Sequence, residues 1–562
     1  MKKTSLLCVM TTAALVLLTA CSGGDGTASE SGNAASGSEG AATEDVQEGE
    51  LKEVSREKTL IWAVPELPNG ADNEFQYTAE AQELERNLYD SPLAYATYFD
   101  EESGFLLPDY STLEGSLAES WEISEDGSEV TLTFRKGVKS HAGNELTADD
   151  FIYSWERGFG DAGNKGTFGA QNMELNSADQ IEKIDDYTVK ITMNGPNPIA
   201  ESFLAHVCGL IVDSEEYQKH ATESDPWALD WASTHASGHG PWKLVEFTPG
   251  VRVVVDRFDD YWDQEHLPYF ERVIILEVPE SSNRASMLLT GDIDAATKLS
   301  NSEIAELQKN PAVKCLHYDG NKTFIVGFNV QNEFLSNPTV RRALGFAVPY
   351  DEILETVYLG QAKQLKSLVC STYPMSTDQY FQYTYDLDQA KSLLEEAGYG
   401  DGFSCKITID NTNVQAEQTA LLMQSSFRQI GVELEIEKIQ SGDYYDKLAN
   451  KDFEGMFAFL DSAGCPDAGF ALRLGARTDS INNMGHYSNP EVDELVDKMM
   501  STIDESVREE CADRLQEIVV WEDPYCLYIA EPGFDLAVTQ DIENPQWDTI
   551  QQIHWKAMKR AE

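Results

Sequence analysis

Positive charge is what this chain of 562 residues has little of: 41 Lys and Arg stand against 97 Asp and Glu, a formal charge of −56. A nucleic-acid binder needs a basic face to displace phosphate counterions, so the composition argues against such a partner and for a soluble, self-repelling protein. Long apolar runs are also scarce. Beyond the amino terminus no stretch approaches the roughly 18 consecutive apolar residues of a membrane-crossing helix. The nine cysteines include no C-x-x-C pair, which removes zinc-ribbon and thioredoxin-like readings. No H-E-x-x-H, G-x-S-x-G or Walker pattern is present to carry hydrolase, esterase or NTPase chemistry. What is present is a core: 41% hydrophobic and 10% aromatic residues exclude wholesale disorder. At roughly 100–200 residues per domain, the length suggests three or four compact units.

Lys2 and Lys3 precede the mostly apolar stretch Leu6 to Leu18, which is too short to span a bilayer permanently and reads as a secretion signal over 1–20. It ends in Leu18-Thr19-Ala20-Cys21, which resembles the bacterial lipoprotein box and makes Cys21 the expected lipidation site. Residues 21–56 then read as a flexible acidic tether, because 22–50 are rich in Gly, Ser, Ala and acidic residues and contain no aromatic side chain. The protein is therefore expected outside the cytoplasm, anchored to the cell membrane by lipid. Seven cysteines remain beyond the anchor, Cys208, Cys315, Cys370, Cys405, Cys465, Cys511 and Cys526, and each is expected to be a small buried apolar residue.

Strand-like runs at Val130–Phe134, Tyr187–Thr192, Val251–Val255, Val273–Val278 and Phe324–Val330 alternate with helical patterns. Helices are expected at Thr147 onward, Ser282–Leu289, Pro338–Leu359, Asp388–Ala397, Val414–Ile430 and Pro490–Val520. Thr147-Ala-Asp-Asp150 resembles a capping box with Asp replacing Glu. Interleaved strands and helices predict α/β lobes rather than a barrel or bundle. Gly158–Gly163 matches G-x-G-x-x-G but follows a helix, so it reads as a loop. His235 and His239 are separated by helix-breaking glycine, and no metal or cofactor is expected.

Three stretches resemble the solute-binding proteins of peptide and nickel ABC importers. Residues 117–157 carry a Trp121 strand, an Asp126-Gly127 turn, Arg135-Lys-Gly-Val138, His141-x-Gly143 and Tyr153-Ser-Trp155. Residues 238–262 carry Gly-x-Gly-Pro-Trp242 and Asp260-Tyr-Trp262, and residues 327–359 carry Phe328-Asn329 followed by Val340-Arg-Arg-Ala-Leu344. The resemblance implies a type II periplasmic-binding-protein-like α/β fold of two lobes, with an extra subdomain in the first. It implies a first lobe from 57–90, 236–325 and 530–562, a subdomain at 91–235, and a second lobe at 326–529. Crossovers are expected at Phe328–Val330 and between Tyr528 and Gly533, with hinge closure over the solute. It further implies a monomeric, non-catalytic receptor that hands oligopeptides to an ABC permease. A nickel chelate, haem, a short glycan or a signalling peptide are alternative ligands.

The resemblance also implies the site. Peptide-binding members anchor the ligand's ammonium group on a second-lobe aspartate, and the matching stretch Gly455–Phe470 offers Asp461. Phe457 and Phe459 would line the cleft through their backbones, Tyr89 would supply an aromatic wall and a hydroxyl, and Phe168 would lie over the cleft mouth. Trp121, Trp155 and Trp242 are expected to be packing residues, and Arg341-Arg342 a surface or interlobe salt bridge.

Overall fold

The computed structural model describes residues 51–561, apart from 73, 75–77, 161–162, 164, 463 and 549–551. The signal at 1–20, lipidation at Cys21 and most of the tether lie outside the described residues. Among the described residues, no helix is long and apolar enough to cross a membrane.

Two sheets organise the body. Thr59–Val64 is almost wholly buried, as expected of a central strand covered on both faces. It pairs in parallel with Arg272–Glu277 and Ala295–Thr297 in a seven-stranded sheet whose other edges are antiparallel. The second sheet has six strands, ordered Ala362–Lys363, Cys526–Pro532, Lys322–Phe328, Met456–Ser462, Phe403–Asp410 and Val432–Ile439. A smaller sheet of Ala118–Ile123, Glu129–Phe134, Thr188–Thr192 and Ile181–Asp185 forms the subdomain. The mixed α/β, two-lobed type II architecture is thus in place.

The chain passes between the sheets twice, and both passages lie in one antiparallel ribbon. Val313–Tyr318 pairs with Phe534–Thr539 in the first sheet, and Lys322–Phe328 pairs with Cys526–Pro532 in the second. The first passage is therefore Asp319–Asn321, upstream of the expected Phe328–Val330, which ends a second-sheet strand instead. The second passage is Gly533, where an added Cβ would sit 2.0 Å from the His317 imidazole. The hairpin Leu93–Phe99 and Leu106–Gly115, expected in the subdomain, joins a four-stranded sheet with Gln546–Trp547 and Ile553–His554 and so is pinned to the carboxyl-terminal tail.

Local chemistry explains most boundaries. Thr147 and Asp150 do meet, the Thr147 amide donating to Asp150 Oδ2 at 2.7 Å before the helix Ala148–Gly160. The expected helix 338–359 divides into Pro338–Phe346 and Tyr350–Thr356, because Pro349 lacks the N–H that would continue the ladder. The expected helix 490–520 divides into Pro490–Met500 and Glu505–Glu517, because Asp504 accepts from the Ser506 and Val507 amides and starts a new helix. Trp155 and Trp242 are fully buried, and Trp62, Trp242 and Trp555 form an aromatic cluster at 6.2 and 6.4 Å. Arg341 is not a surface bridge: it is 2% exposed, pairs with Asp523 and donates to the Pro524 carbonyl. All seven described cysteines are free thiols and six are buried.

Candidate functional site

In open α/β sheets, binding crevices form beyond the carboxyl ends of the strands. Asp461 stands at such an end, on Met456–Ser462 and opposite Thr323 in the ladder, next to the ribbon that joins the lobes. It is only partly exposed, and Asn482 Nδ2 donates to its Oδ2 at 3.2 Å. Burial first, and then the Asp461 charge among other neighbours, raises the Cys370 thiol and the Tyr525 hydroxyl well above their ordinary pKa values. Two neutral, non-nucleophilic groups therefore flank the carboxylate.

Between the lobes runs a seam of aromatic contacts. Tyr110 of the first lobe meets Tyr373 of the second edge to face at 5.7 Å, and Asn321 in the first passage donates to the Tyr373 hydroxyl at 2.9 Å. Farther along, Phe470 packs against Phe168 at 6.2 Å and Phe203 at 5.8 Å. Arg473, one turn beyond Phe470 on the helix Ala468–Ala476, donates to Asn172 Oδ1 across the seam. Asp467 is spent on structure, capping that helix at the Phe470 amide, 2.9 Å, and pairing with Arg508 at 2.6 Å.

The structure brings one of the five proposed ligand-binding residues, Phe168, into contact across this seam. Asp461 lies on the second lobe, beside the ribbon that joins the two sheets. Phe168 lies in the π-helical turn Lys165–Gly169, held by a buried ion pair between Lys165 and Glu74, and it touches the second lobe through Phe470. Phe457 is 3% exposed and stacks on Phe453 at 4.6 Å, its ring filling the space over Gly327, where a Cβ would be 2.2 Å away. It is strand core. Phe459 is half-buried between that cluster and the main core. Tyr89 is 1% exposed and its hydroxyl is bonded to the Tyr217 hydroxyl at 2.8 Å, so it is first-lobe packing.

Tyr89 instead lines a cavity of about 670 Å³ built entirely from the first lobe and subdomain. Several of its polar groups are matched to one another. Asp90 accepts from the Tyr261 hydroxyl at 2.8 Å and Trp262 Nε1 at 2.9 Å, Lys556 pairs with Asp263 at 2.8 Å, and Arg86 with Asp548 at 2.9 Å. No second-lobe residue lines it, so lobe closure does not act on it. Among the described residues there is no group of three or more His, Cys, Asp or Glu that could hold a metal ion.

Sequence reasoning missed Tyr110, Tyr373, Asn172 and Arg473. The Arg473 to Asn172 contact spans 301 residues, and nothing local in the chain announces it.

A family profile described as bacterial extracellular solute-binding proteins, family 5 Middle, matches residues 112–480. The chain is 28% identical over 442 residues to heme-binding protein A of Haemophilus influenzae, covering 75% of this chain and 80% of that protein. It is 26% identical over 461 residues to the dipeptide-binding protein of Escherichia coli, covering 78% and 85%. Among solved structures, the periplasmic binding protein DppA of Helicobacter pylori in complex with the peptide STSA superposes with a TM-score of 0.72. That match is at 24% identity and covers 90% of this chain and 98% of the other.

Proposed function

The chain belongs to the bacterial extracellular solute-binding proteins of family 5, the binding components of ABC importers, and from that premise we propose that it captures peptides between its lobes and delivers them to a permease. One observation carries the peptide reading: a carboxylate, Asp461, at the carboxyl end of a second-lobe strand, beside the ribbon about which the lobes turn. A peptide of any sequence offers an ammonium group, and inside a closed, poorly hydrated seam a matched carboxylate recognises it strongly.

Closure does the rest. Second-lobe strand ends supply hydrogen-bonding groups to the peptide backbone, and the aromatic contacts from Tyr110 to Phe470 exclude water as the lobes meet. Ligand and permease both favour the closed hinge state, which couples capture to delivery. The protein leaves its solute unchanged, and ATP is consumed by other subunits of the importer. Cys21 carries the lipid, the acidic tether lets the body reorient outside the membrane, and the protein acts as a monomer.

Mass spectrometry of solutes released from the purified protein by denaturation tests this reading. Peptides recovered in stoichiometric amount support it. Haem, a metal chelate or a glycan recovered in their place would assign the same fold to one of those ligands.

A further inference from the structure

Arg473 is one of the few arginines without a carboxylate partner among the described residues, in a chain where acids outnumber bases 97 to 41. Second-lobe arginines regularly find carboxylates: Arg341 meets Asp523, Arg428 meets Glu433, Arg477 meets Asp497, Arg508 meets Asp467, and Arg514 meets Glu491, Glu517 and Glu522. Arg342 instead donates to Thr339 and lies 5.6 Å over the Trp521 ring. Arg473 has no carboxylate within ion-pair distance among the described residues. Its partners are one neutral amide oxygen, Asn172 Oδ1, and the face of Phe470 at 5.6 Å. It is only partly exposed, and burial lowers its pKa against the pull of Glu174, Cys465 and Asp467.

A guanidinium has five N–H donors in a planar fork suited to a carboxylate, and a single amide oxygen leaves most of that capacity unused. Asn172 is fixed in its role. It is 3% exposed, and its Nδ2 donates to the Phe168 carbonyl at 2.8 Å, so its Oδ1 faces Arg473 as a placeholder acceptor on the opposite wall. Phe168, Phe203 and Phe470 pack around this point and keep water from competing.

We propose that Arg473 is a specificity-determining residue that takes a carboxylate of the bound ligand at the subdomain end of the seam. The assignment rests on the peptide reading and deepens it: the seam presents an acid at its hinge end and a guanidinium toward the subdomain, and so selects zwitterionic or acidic peptides. The carboxylate has two sources in a peptide, its carboxyl terminus and an acidic side chain. Bidentate charge-assisted pairing is stronger than the neutral contact it replaces, so the ligand displaces Asn172 Oδ1 rather than sharing it.

Titration calorimetry with four probes tests this: Ala-Phe-Ala, its carboxyl-terminal amide, Ala-Glu-Ala amide and Ala-Gln-Ala amide. Wild-type protein is expected to prefer either the free acid over its amide, or the Glu peptide over the Gln peptide, by about tenfold or more. The first preference assigns the carboxyl terminus and the second the side chain. Arg473→Gln is expected to bind both members of the preferred pair within about threefold of each other, while Arg473→Lys keeps part of the preference. A merely structural latch would weaken all four probes alike. Equal wild-type affinities within both pairs, which need no variant to measure, overturn the assignment and leave the peptide reading standing. So does a preference that survives in Arg473→Gln. If none of the four probes nor any other peptide gives heat, the peptide reading fails and the assignment falls with it.

Discussion

The two walls of the seam differ in how one charge is met. On the first-lobe side the buried charges are matched within the wall: Arg157 with Asp72, Lys165 with Glu74, Arg86 with Asp548. Glu83 and Glu85, on the same side, are pushed up chiefly by desolvation, Glu83 to about 8. On the second-lobe side Asp467 is likewise paired, with Arg508, whereas Arg473 meets a neutral amide, Asn172. A buried, internally paired charge is committed to its fold, because removing its partner strands it in low dielectric. A charge facing an amide keeps its preference for an ion. The contrast sets Arg473 apart from the internally paired charges as the group left for recognition.

The strongest way to break this contrast is at Lys165. Lys165→Met leaves Glu74 buried without its cation and is expected to lower unfolding stability by about 3–5 kcal/mol, measured by urea denaturation. Peptide preference in the surviving folded fraction should be unchanged, since the wall carries no ligand charge. An altered preference at unchanged stability would reverse the roles of the walls.

Gly327→Ala separates core from cleft within the second lobe. The added methyl meets the Phe457 ring, and a loss of about 1–3 kcal/mol of stability is expected with little change in affinity. A large affinity change at constant melting temperature would return Phe457 to the binding surface.

Asp461→Asn inverts that pattern. Affinity for peptides with a free amine should fall about tenfold or more, equivalent to about 1.4 kcal/mol, with little loss of thermal stability.

The smallest effect is expected in the ribbon. Burial opposes charging of His317, but hydrogen bonds to Asp319 and Asp535 outweigh it and raise its pKa from 6.5 to about 9. A raised folded-state pKa gives stability that is full below pH 6.5 and is lost as pH rises through about 9. Replacing His317 with Gln should flatten the stability profile over that window, and a profile unchanged by the substitution would remove the ribbon's charge from the account.

Much of the fold could be read from the chain because its signals are local. Val130–Phe134 and Val273–Val278 are β-branched runs, and Thr147 with Asp150 opens a helix by direct contact. Pro349 also carried the signal that divides 338–359, and the helical periodicity masked it. The first passage lies at Asp319-Gly320-Asn321, a turn sequence, yet the apolar run of Phe324–Val330 drew the boundary downstream. The site was less legible for a physical reason. Asp461 follows an apolar strand and can be found by motif, whereas Tyr110 with Tyr373 and Asn172 with Arg473 meet only when two lobes built from distant segments close. Tyr89 misled because an aromatic at a helix end looks the same whether it faces a cleft or, as here, Tyr217.

The most direct test of the central claim is calorimetric titration of the wild-type protein with a free tripeptide and its N-acetylated form. The account predicts saturable one-to-one binding of the free peptide and a loss of about tenfold or more on acetylation, because Asp461 then faces no cation. Equal binding of both forms, or no heat from either alongside saturable binding of haem or a metal chelate, would contradict it.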